Sequence, residues 1–417
     1  MLIAPHSIFR LALRFLILTV IVVSSAGVVA AQGQIRPNVM VRVSAPPPAD
    51  GKSATVYLAT YAPDNATVVN HFDIADPNSF FVVSPNGKWI VSTSYNPDGS
   101  NKLVLGLPGG AQTELHKEVG YDVNLPIFST DSRYLSYGLA NLEAVKWQLV
   151  IVDLTSGKNL TFGGDFVFPP AAKPAVGFYG GPEALAFSAD GKHVYVNAYA
   201  PSSDGMFGGP FDVDLNGFTF GQPGVLALPT VRPISGVDTT KTPFFPGLFS
   251  PDATKVIFAT SDTSRPVPNY QGMGDPVNTF TVNDVASGQP ITVIQANQDE
   301  GIENIEWSTD GAKITFMSGK YTNDANGGPI FDNAHIYVVD VASKQVSAGP
   351  VLAPDPADRV VSTAVCGDTF FFVIGRSVQG PTGSISTLYS APMAKLDARS
   401  APLLTGSFQI YIMTCVP

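Results

Sequence analysis

Apolar and polar residues alternate in short runs along most of this chain, and the runs come in pairs. Glu183 to Tyr199, EALAFSADGKHVYVNAY, is one such pair: an apolar run, a polar Ser-x-Asp-Gly break, then a second run of period two. Near copies read GLFSPDATKVIFATS from Gly247 and IEWSTDGAKITFMSG from Ile305. With FVVSPNGKWIVSTS and PIFSTDSRYLSYG they align on Ser84, Ser129, Ser188, Ser250 and Ser308, at spacings of 45, 59, 62 and 58 residues. Period-two runs rich in β-branched and aromatic residues predict strands. A Ser-x-Asp/Asn segment that bonds its own backbone, often followed by Gly, predicts a tight turn. Each copy is therefore a hairpin.

A second recurring piece follows most of the hairpins: LVIVDLTSGKNLTF from Leu149, FTVNDVASGQPITV from Phe280 and IYVVDVASKQVSAG from Ile336. Asp153, Asp284 and Asp340 read as turn-starting residues between two further strands rather than as metal ligands. Each unit then has four strands. Four-stranded units repeating every 45 to 60 residues predict an all-β fold, a single β-propeller whose blades pack face to face. Ser84-Pro85-Asn86-Gly87-Lys88, Ser188-Ala189-Asp190-Gly191-Lys192 and Ser250-Pro251-Asp252 resemble the Ser-Pro-Asp-Gly-Lys turn of TolB-like propeller repeats, cousins of WD repeats. The resemblance covers most of residues 50–417 and implies the propeller fold. It departs from TolB itself, which carries a separate α/β domain ahead of its propeller. Only about 50 residues precede the first clear motif once the leader described below is removed, so the role of TolB in its envelope system is not carried over.

After Ser308 the motif continues only if cysteines take the serine slot. VSTAVCGDTFFFVIG and the terminal IYIMTCVP align through Cys366 and Cys415, at spacings of 58 and 49, and the chain stops after one strand of a last unit. Three alternating segments within residues 37–76, PNVMVRVSAP, SATVYLATYAP and ATVVNHFDI, supply its remaining strands. Pairing amino-terminal strands with the carboxy-terminal strand closes the ring and hides its edges. Seven blades are expected, with six as the alternative. Cys366 and Cys415 are the only cysteines, and an even count in an exported chain invites a disulfide. The bridge needs Cα atoms about 4.4–6.8 Å apart, whereas strands of adjacent blades are expected to sit farther apart. A bridge and two buried thiols both stay open.

The composition fits this architecture, with 45% hydrophobic and 14% charged residues, 39 Gly and 35 Pro. At the amino terminus Arg10 and Arg14 precede an uncharged run from Phe15 to Ala31 ending in Val-Ala-Ala, the pattern of a secretory signal peptide cut before Gln32. The domains are then a signal peptide, 1–31, and a propeller, 32–417, in the periplasm or outside the cell, with no membrane span after cleavage. Removing 1–31 leaves 22 Lys and Arg against 34 Asp and Glu, a net charge of −12. A chain so acidic repels a phosphate backbone, so nucleic acid is not an expected partner.

Loop lengths place the candidate site. The turns from a blade's first strand to its second, and from its third to its fourth, are tight. The connections on the opposite face, 164–182, 200–212, 229–245, 261–278 and 318–334, are long and carry Phe166, Phe168, Tyr179, Phe207, Phe211, Tyr270, Tyr321 and Phe331. Aromatics at that density suit a protein, peptide or glycan surface; they also suit loops that pack on one another. Counting five residues back from each aligned Ser gives Ser79, Asn124, Glu183, Phe245 and Glu303 around the channel mouth, with Asp299 and Glu300 close by. Asn124, Glu183, Glu303 and Asp299 form a candidate calcium site of hard oxygen ligands, of the kind some propeller lactonases use. Asp324, Asn326 and Asp332 lack the spacing of a calcium-binding EF-hand loop.

Two functions follow. The first is an exported, non-catalytic propeller that binds a protein, peptide or glycan of the envelope or exterior through its long-loop face. It fits a mature chain with His71, His116, His193 and His335 as its histidines, no Gly-x-Ser-x-Gly elbow, no His-Glu-x-x-His motif and no accompanying hydrolase domain. The alternative is a calcium-dependent hydrolase or lyase, such as a lactonase, with Asp299 or Glu300 as base. A quinoprotein dehydrogenase is disfavoured, because its Gly-Lys-x-x-Trp repeat has only SGKNLTF as a counterpart.

Overall fold

A computed structural model of the protein describes residues 37–45, 55–74, 80–95, 100–107, 110–124, 126–141, 146–164, 183–202, 205–221, 230–234, 248–270, 276–323, 329–355, 357–377 and 384–417. The signal-peptide assignment and its boundary at residue 32 lie outside these residues. Alternating segments pair with their chain neighbours into seven small antiparallel sheets, the blades of a β-propeller. From the axis outwards, blade 1 is Phe80–Val83, Ile90–Tyr95, Ser100–Gly106 and Gln112–Val119. Blade 2 has an inner strand in two pieces, Asp122–Val123 and Ile127–Phe128, then Tyr134–Asn141, Lys146–Asp153 and Lys158–Gly164. Blade 3 is Glu183–Phe187, His193–Ser202, Gly205–Asp214 and Thr230–Pro233, and blade 4 is Leu248–Phe249, Lys255–Thr260, Thr279–Asp284 and Pro290–Gln295. Blade 5 is Gly301–Trp307, Lys313–Asn323, Pro329–Asp340 and Val346–Val351, and blade 6 is Asp358–Cys366, Thr369–Ser377, Ser384–Pro392 and Leu404–Gly406. Among the described residues no helix is long and apolar enough to cross a membrane.

Blade 7 is composite. Its inner strand is Gln409–Val416, and its outer three are Asn38–Ser44, Val56–Ala62 and Asn65–Ile74. Seven blades, and closure by the two ends of the chain, are thus the architecture. Val39 pairs with Cys415 and Val43 with Ile410, and Asn38 Nδ2 donates to the carbonyl of Pro417 at 3.1 Å.

The repeated turn explains why these segments form hairpins. In five blades the serine hydroxyl donates to the carboxylate or amide two residues on and accepts the N–H five residues on. Ser188 Oγ lies 2.7 Å from Asp190 Oδ1 and 2.9 Å from His193 N; Ser308 Oγ lies 2.6 Å from Asp310 Oδ1 and 2.8 Å from Lys313 N. The third residue after the serine takes a positive φ. Gly191 does so at 67°, where a Cβ would also sit 2.8 Å from the Tyr134 ring of the neighbouring blade. Ser132 and Ala253 hold the same conformation without glycine, at 60° and 53°. Asp153, Asp284 and Asp340 accept backbone N–H groups of Thr155, Ser287 and Ser343, so they cap turns.

Apolar side chains fill the spaces between blades. Trp147, Phe162, Phe187 and Phe211 pack between blades 2 and 3, and Phe280, Trp307 and Phe316 between blades 4 and 5. Burying such a side chain contributes about 1.5–3 kcal/mol. Trp307 also donates its Nε1–H to the Leu248 carbonyl of blade 4, at 3.0 Å.

Two segments expected as long loops are strands. Within 200–212 and 318–334, residues 200–202, 205–212, 318–323 and 329–334 extend the central hairpins of blades 3 and 5, where Ala200 pairs with Phe207 and Tyr321 with Phe331. Their Gly, Pro and Asp content masked strands that continue in register in blade 3 and past one register shift, between Ser318 and Lys320, in blade 5.

Cys366 and Cys415 form a disulfide, with Cα atoms 5.4 Å apart. The inner strands of adjacent blades converge on the axis at the serine slot more closely than expected. Ser308 of blade 5 bridges to Val365 of blade 6 as a parallel pair, and Gly367 N–H donates to Thr309 Oγ1 at 2.8 Å. Where five blades use the slot to clasp their own turn, blades 6 and 7 use it to clasp each other. The bond closes a 49-residue separation, for which loop-closure entropy gives about 4 kcal/mol. Cys366→Ser with Cys415→Ser is expected to lower unfolding free energy by that amount in urea titrations. The same loss should appear in the wild-type protein under reductant and be absent from the reduced variant.

Candidate functional site

The face bearing the long connections is described most fully where blade 4 meets blade 5. There the segment after Thr260 is held by hydrogen bonds. Asn278 is buried at the start of the next strand; its Oδ1 accepts the Asp262 N–H at 2.7 Å, and its Nδ2 donates to the carbonyls of Asp262 and Arg265 at 3.1 and 2.7 Å. Asp262 bonds Ser264 in an Asx turn. Arg265 reaches the Ala296 carbonyl, and Asn269 Nδ2 donates to the Tyr321 carbonyl of blade 5 at 3.3 Å.

This delivers Tyr270 onto Tyr321. The two rings lie 5.0 Å apart at 71°, and the Phe331 ring lies 5.0 Å from that of Tyr321 at 46°. Tyr321 is 8% exposed, while Tyr270 and Phe331 are partly open to solvent. Gly301 makes room for the central ring, since a Cβ there would lie 2.6 Å from Tyr321 Cε2. Tyr321 Oη donates to Glu303 Oε1 at 2.8 Å. Burial pushes the Glu303 carboxyl up, against the opposing hydrogen bond, and burial together with the Glu303 charge keeps the Tyr321 phenol protonated.

Beside this cluster a cleft of about 250 Å³ opens between the blades, lined by Ile294, Asn297, Phe316, Ser318, Tyr337 and Val346. Glu300 Oε2 accepts from Ser318 Oγ at 2.8 Å and from Asn297 Nδ2 at 3.0 Å, and Asn297 also reaches Tyr337 Oη at 3.3 Å.

Of the aromatic candidates, Tyr270, Tyr321 and Phe331 come together. Phe166, Phe168 and Tyr179 lie outside the described residues. Phe207 falls on a strand of the extended blade 3 hairpin. Phe211, expected on a loop, is 1% exposed within the core between blades 2 and 3, because the strand continues through it.

Among the described residues no three His, Cys, Asp or Glu side chains are placed to hold one ion. Glu183 is buried in the inner strand of blade 3, Glu303 holds Tyr321, Asn124 donates its backbone N–H to Gly138, and Asp299 occupies a left-handed turn position at φ 64°. Counting back from the serine slot misleads for a physical reason. Register shifts interrupt the inner strands of blades 3 and 5, and that of blade 2 is in two pieces, so equal offsets do not give equal orientations. Ser79, Phe245, Asp324 and Asn326 lie outside the described residues.

Glu306 was the residue the motif reading passed over. Two positions before the slot the other blades carry Val82, Ile127, Ala186, Leu248, Ala364 and Met413, so the lone acid was visible in that alignment. It is 4% exposed; its Oε1 accepts from Thr363 Oγ1 of blade 6 at 2.7 Å, and its Oε2 and the facing Thr315 Oγ1 are buried without a hydrogen-bond partner.

No protein-family model matches the sequence, and no curated protein matches it. Solved structures similar to it include TolB from Acinetobacter baumannii, with 13% identity, 75% of this chain covered and a TM-score of 0.41. The match spans 63% of that chain. The β-propeller domain of the trilobed protease from Pyrococcus furiosus is 12% identical over 75% of this chain and 82% of its own, with a TM-score of 0.43. An oligogalacturonate lyase in complex with manganese is 12% identical over 88% and 84%, with a TM-score of 0.46. At these values the likenesses carry no argument about activity or partner.

Burial raises the Glu306 carboxyl from 4.5 to about 8, outweighing the Thr363 hydrogen bond. The native state then keeps a proton that the unfolded chain releases above pH 4.5, so stability falls as pH rises from 4.5 to 8. The slope is about 1.4 kcal/mol per pH unit. Glu306→Gln is expected to flatten that slope in urea titrations across the window; an unchanged slope would place the carboxyl in contact with water.

Proposed function

We propose that this chain is an exported, non-catalytic β-propeller that presents the long-loop face at blades 4 and 5 to a protein, peptide or glycan partner. The observation that carries this reading is the three-ring cluster. Tyr321 is fixed by Glu303 beneath it and by Asn269 beside it, and so holds Tyr270 and Phe331 on a rigid base. Rigid aromatic side chains on an ordered loop provide contact area with little left to immobilise on binding. The signal-like leader and the disulfide support export to an oxidising compartment. The calcium-dependent hydrolase is the weaker reading, because among the described residues no three His, Cys, Asp or Glu side chains form a group that could hold an ion.

Tyr270→Ala with Phe331→Ala is expected to weaken binding at least about ten-fold, the usual effect of removing aromatic anchors. Affinity would be measured by titration against the partner captured by cross-linking in envelope extracts, or the best ligand from a glycan array. The melting temperature should hold, since Tyr321 stays in place. Full affinity in the double variant would sink the assignment of this face. Stoichiometric calcium in the purified protein, with a melting temperature lowered by chelator, would instead restore the hydrolase reading. Mass spectrometry of the exported protein should give an amino terminus at Gln32.

A further inference from the structure

Among the described residues the outer strand of each blade has no further strand on its outer side, and such edges invite another strand unless something blocks them. Six of the seven carry a block. Gln112–Val119 bears Glu114, Lys117 and Glu118; Lys158–Gly164 bears a lysine and two glycines; Thr230–Pro233 has four residues including Arg232 and Pro233. Val346–Val351 contains Gly349 and Pro350, Leu404–Gly406 has three residues, and Asn65–Ile74 has two register shifts and Asp73. The outer strand of blade 4, Pro290–Gln295, differs: PITVIQ has no charge, and its proline and its one register shift, at Ile291, both stand at the start of the strand, where they block nothing from Thr292 onwards. Ile291, Thr292, Val293 and Ile294 are four consecutive β-branched residues, and Val293 is 54% exposed.

This strand also forms one wall of the cleft between blades 4 and 5, whose other wall carries Phe316, Tyr337 and Val346, the last 46% exposed. Asp299 and Glu300 follow on the connection from this strand to the inner strand of blade 5, and neither has a basic partner among the described residues.

We propose that blade 4 accepts a fifth strand: an extended segment of a partner protein that pairs with Pro290–Gln295, places an apolar or aromatic side chain in the cleft and sets a Lys or Arg near Asp299 and Glu300. The unpaired edge specifies an extended backbone as the ligand. Phe316, Tyr337 and Val346 specify an apolar side chain, and the two acids, on a chain of net charge −12 once residues 1–31 are removed, specify a basic neighbour. This surface lies on the rim of blade 4 and does not depend on Tyr270 or Phe331.

The test pans phage-displayed random dodecapeptides against residues 32–417. The enriched peptides should share an apolar residue with a Lys or Arg nearby. Val293→Lys and Val346→Lys should each weaken the best peptide by at least about ten-fold, while Val69→Lys, at a site 51% exposed on blade 7, should not. Methylating its backbone nitrogens one at a time should weaken binding at alternate positions only, the signature of strand pairing. Both valines are exposed, and matching melting curves would show that the lysine variants fold. The proposal is overturned if no sequence is enriched, if Val293→Lys binds as the wild type does, or if methylation shows no alternation. Peptides that bind equally to the Tyr270→Ala, Phe331→Ala protein would separate this surface from the aromatic one.

Discussion

The pairing of Gln409–Val416 with Asn38–Ser44 is the contact on which the rest of the ring depends. It gives blade 7 its inner strand and so completes two interfaces together. On one side Val41, Val43, Ile410 and Ile412 pack with Phe371 and Leu388 of blade 6; on the other Met40, Leu58 and Val416 pack with Phe81 and Val83 of blade 1. Blades bury their apolar faces only against each other, so an open ring would expose both sets. The disulfide acts at the same seam, tying the inner strand of blade 7 to that of blade 6.

Much of this was legible because one local device repeats. A serine that clasps Asp or Asn and a downstream N–H needs a particular residue at each of a few fixed offsets, so the hairpins announce themselves. The composite blade followed from counting strands. What the sequence did not show were features that depend on three-dimensional convergence. The approach of inner strands near the axis, which lets Cys366 reach Cys415, is a property of the ring. The bulges before Glu306 and Phe187 shift orientation without changing spacing, so a shared offset from the serine slot does not give Glu183 and Glu303 a shared orientation. Phe211 was misread because glycine and proline in a long hairpin have the composition of a loop.

The blades share a plan but not a surface. Between blades 4 and 5 an ordered loop, a buried phenol–carboxyl pair and an uncharged outer strand occur side by side, whereas the remaining outer strands are blunted by charge, proline, glycine or brevity. Structural repetition makes the scaffold, and departures from repetition mark where it differs in chemistry. Glu306 is a departure of another kind, an acid where every other blade is apolar, set between blades 5 and 6.

The seam also sets an order of events in time. Val39 and Cys415 are register partners although 376 positions separate them. As the chain is made, the three outer strands of blade 7 emerge first and wait for their inner strand while the other blades can form in succession. Such distant pairing is slow, because the entropy of closing the intervening chain must be overcome before the contact stabilises anything. Until residues 409–416 arrive, Asn38–Ser44 remains an unsatisfied edge beside a nearly finished ring. That interval, rather than the folding of any single blade, is when the protein is most open to mispairing with its neighbours.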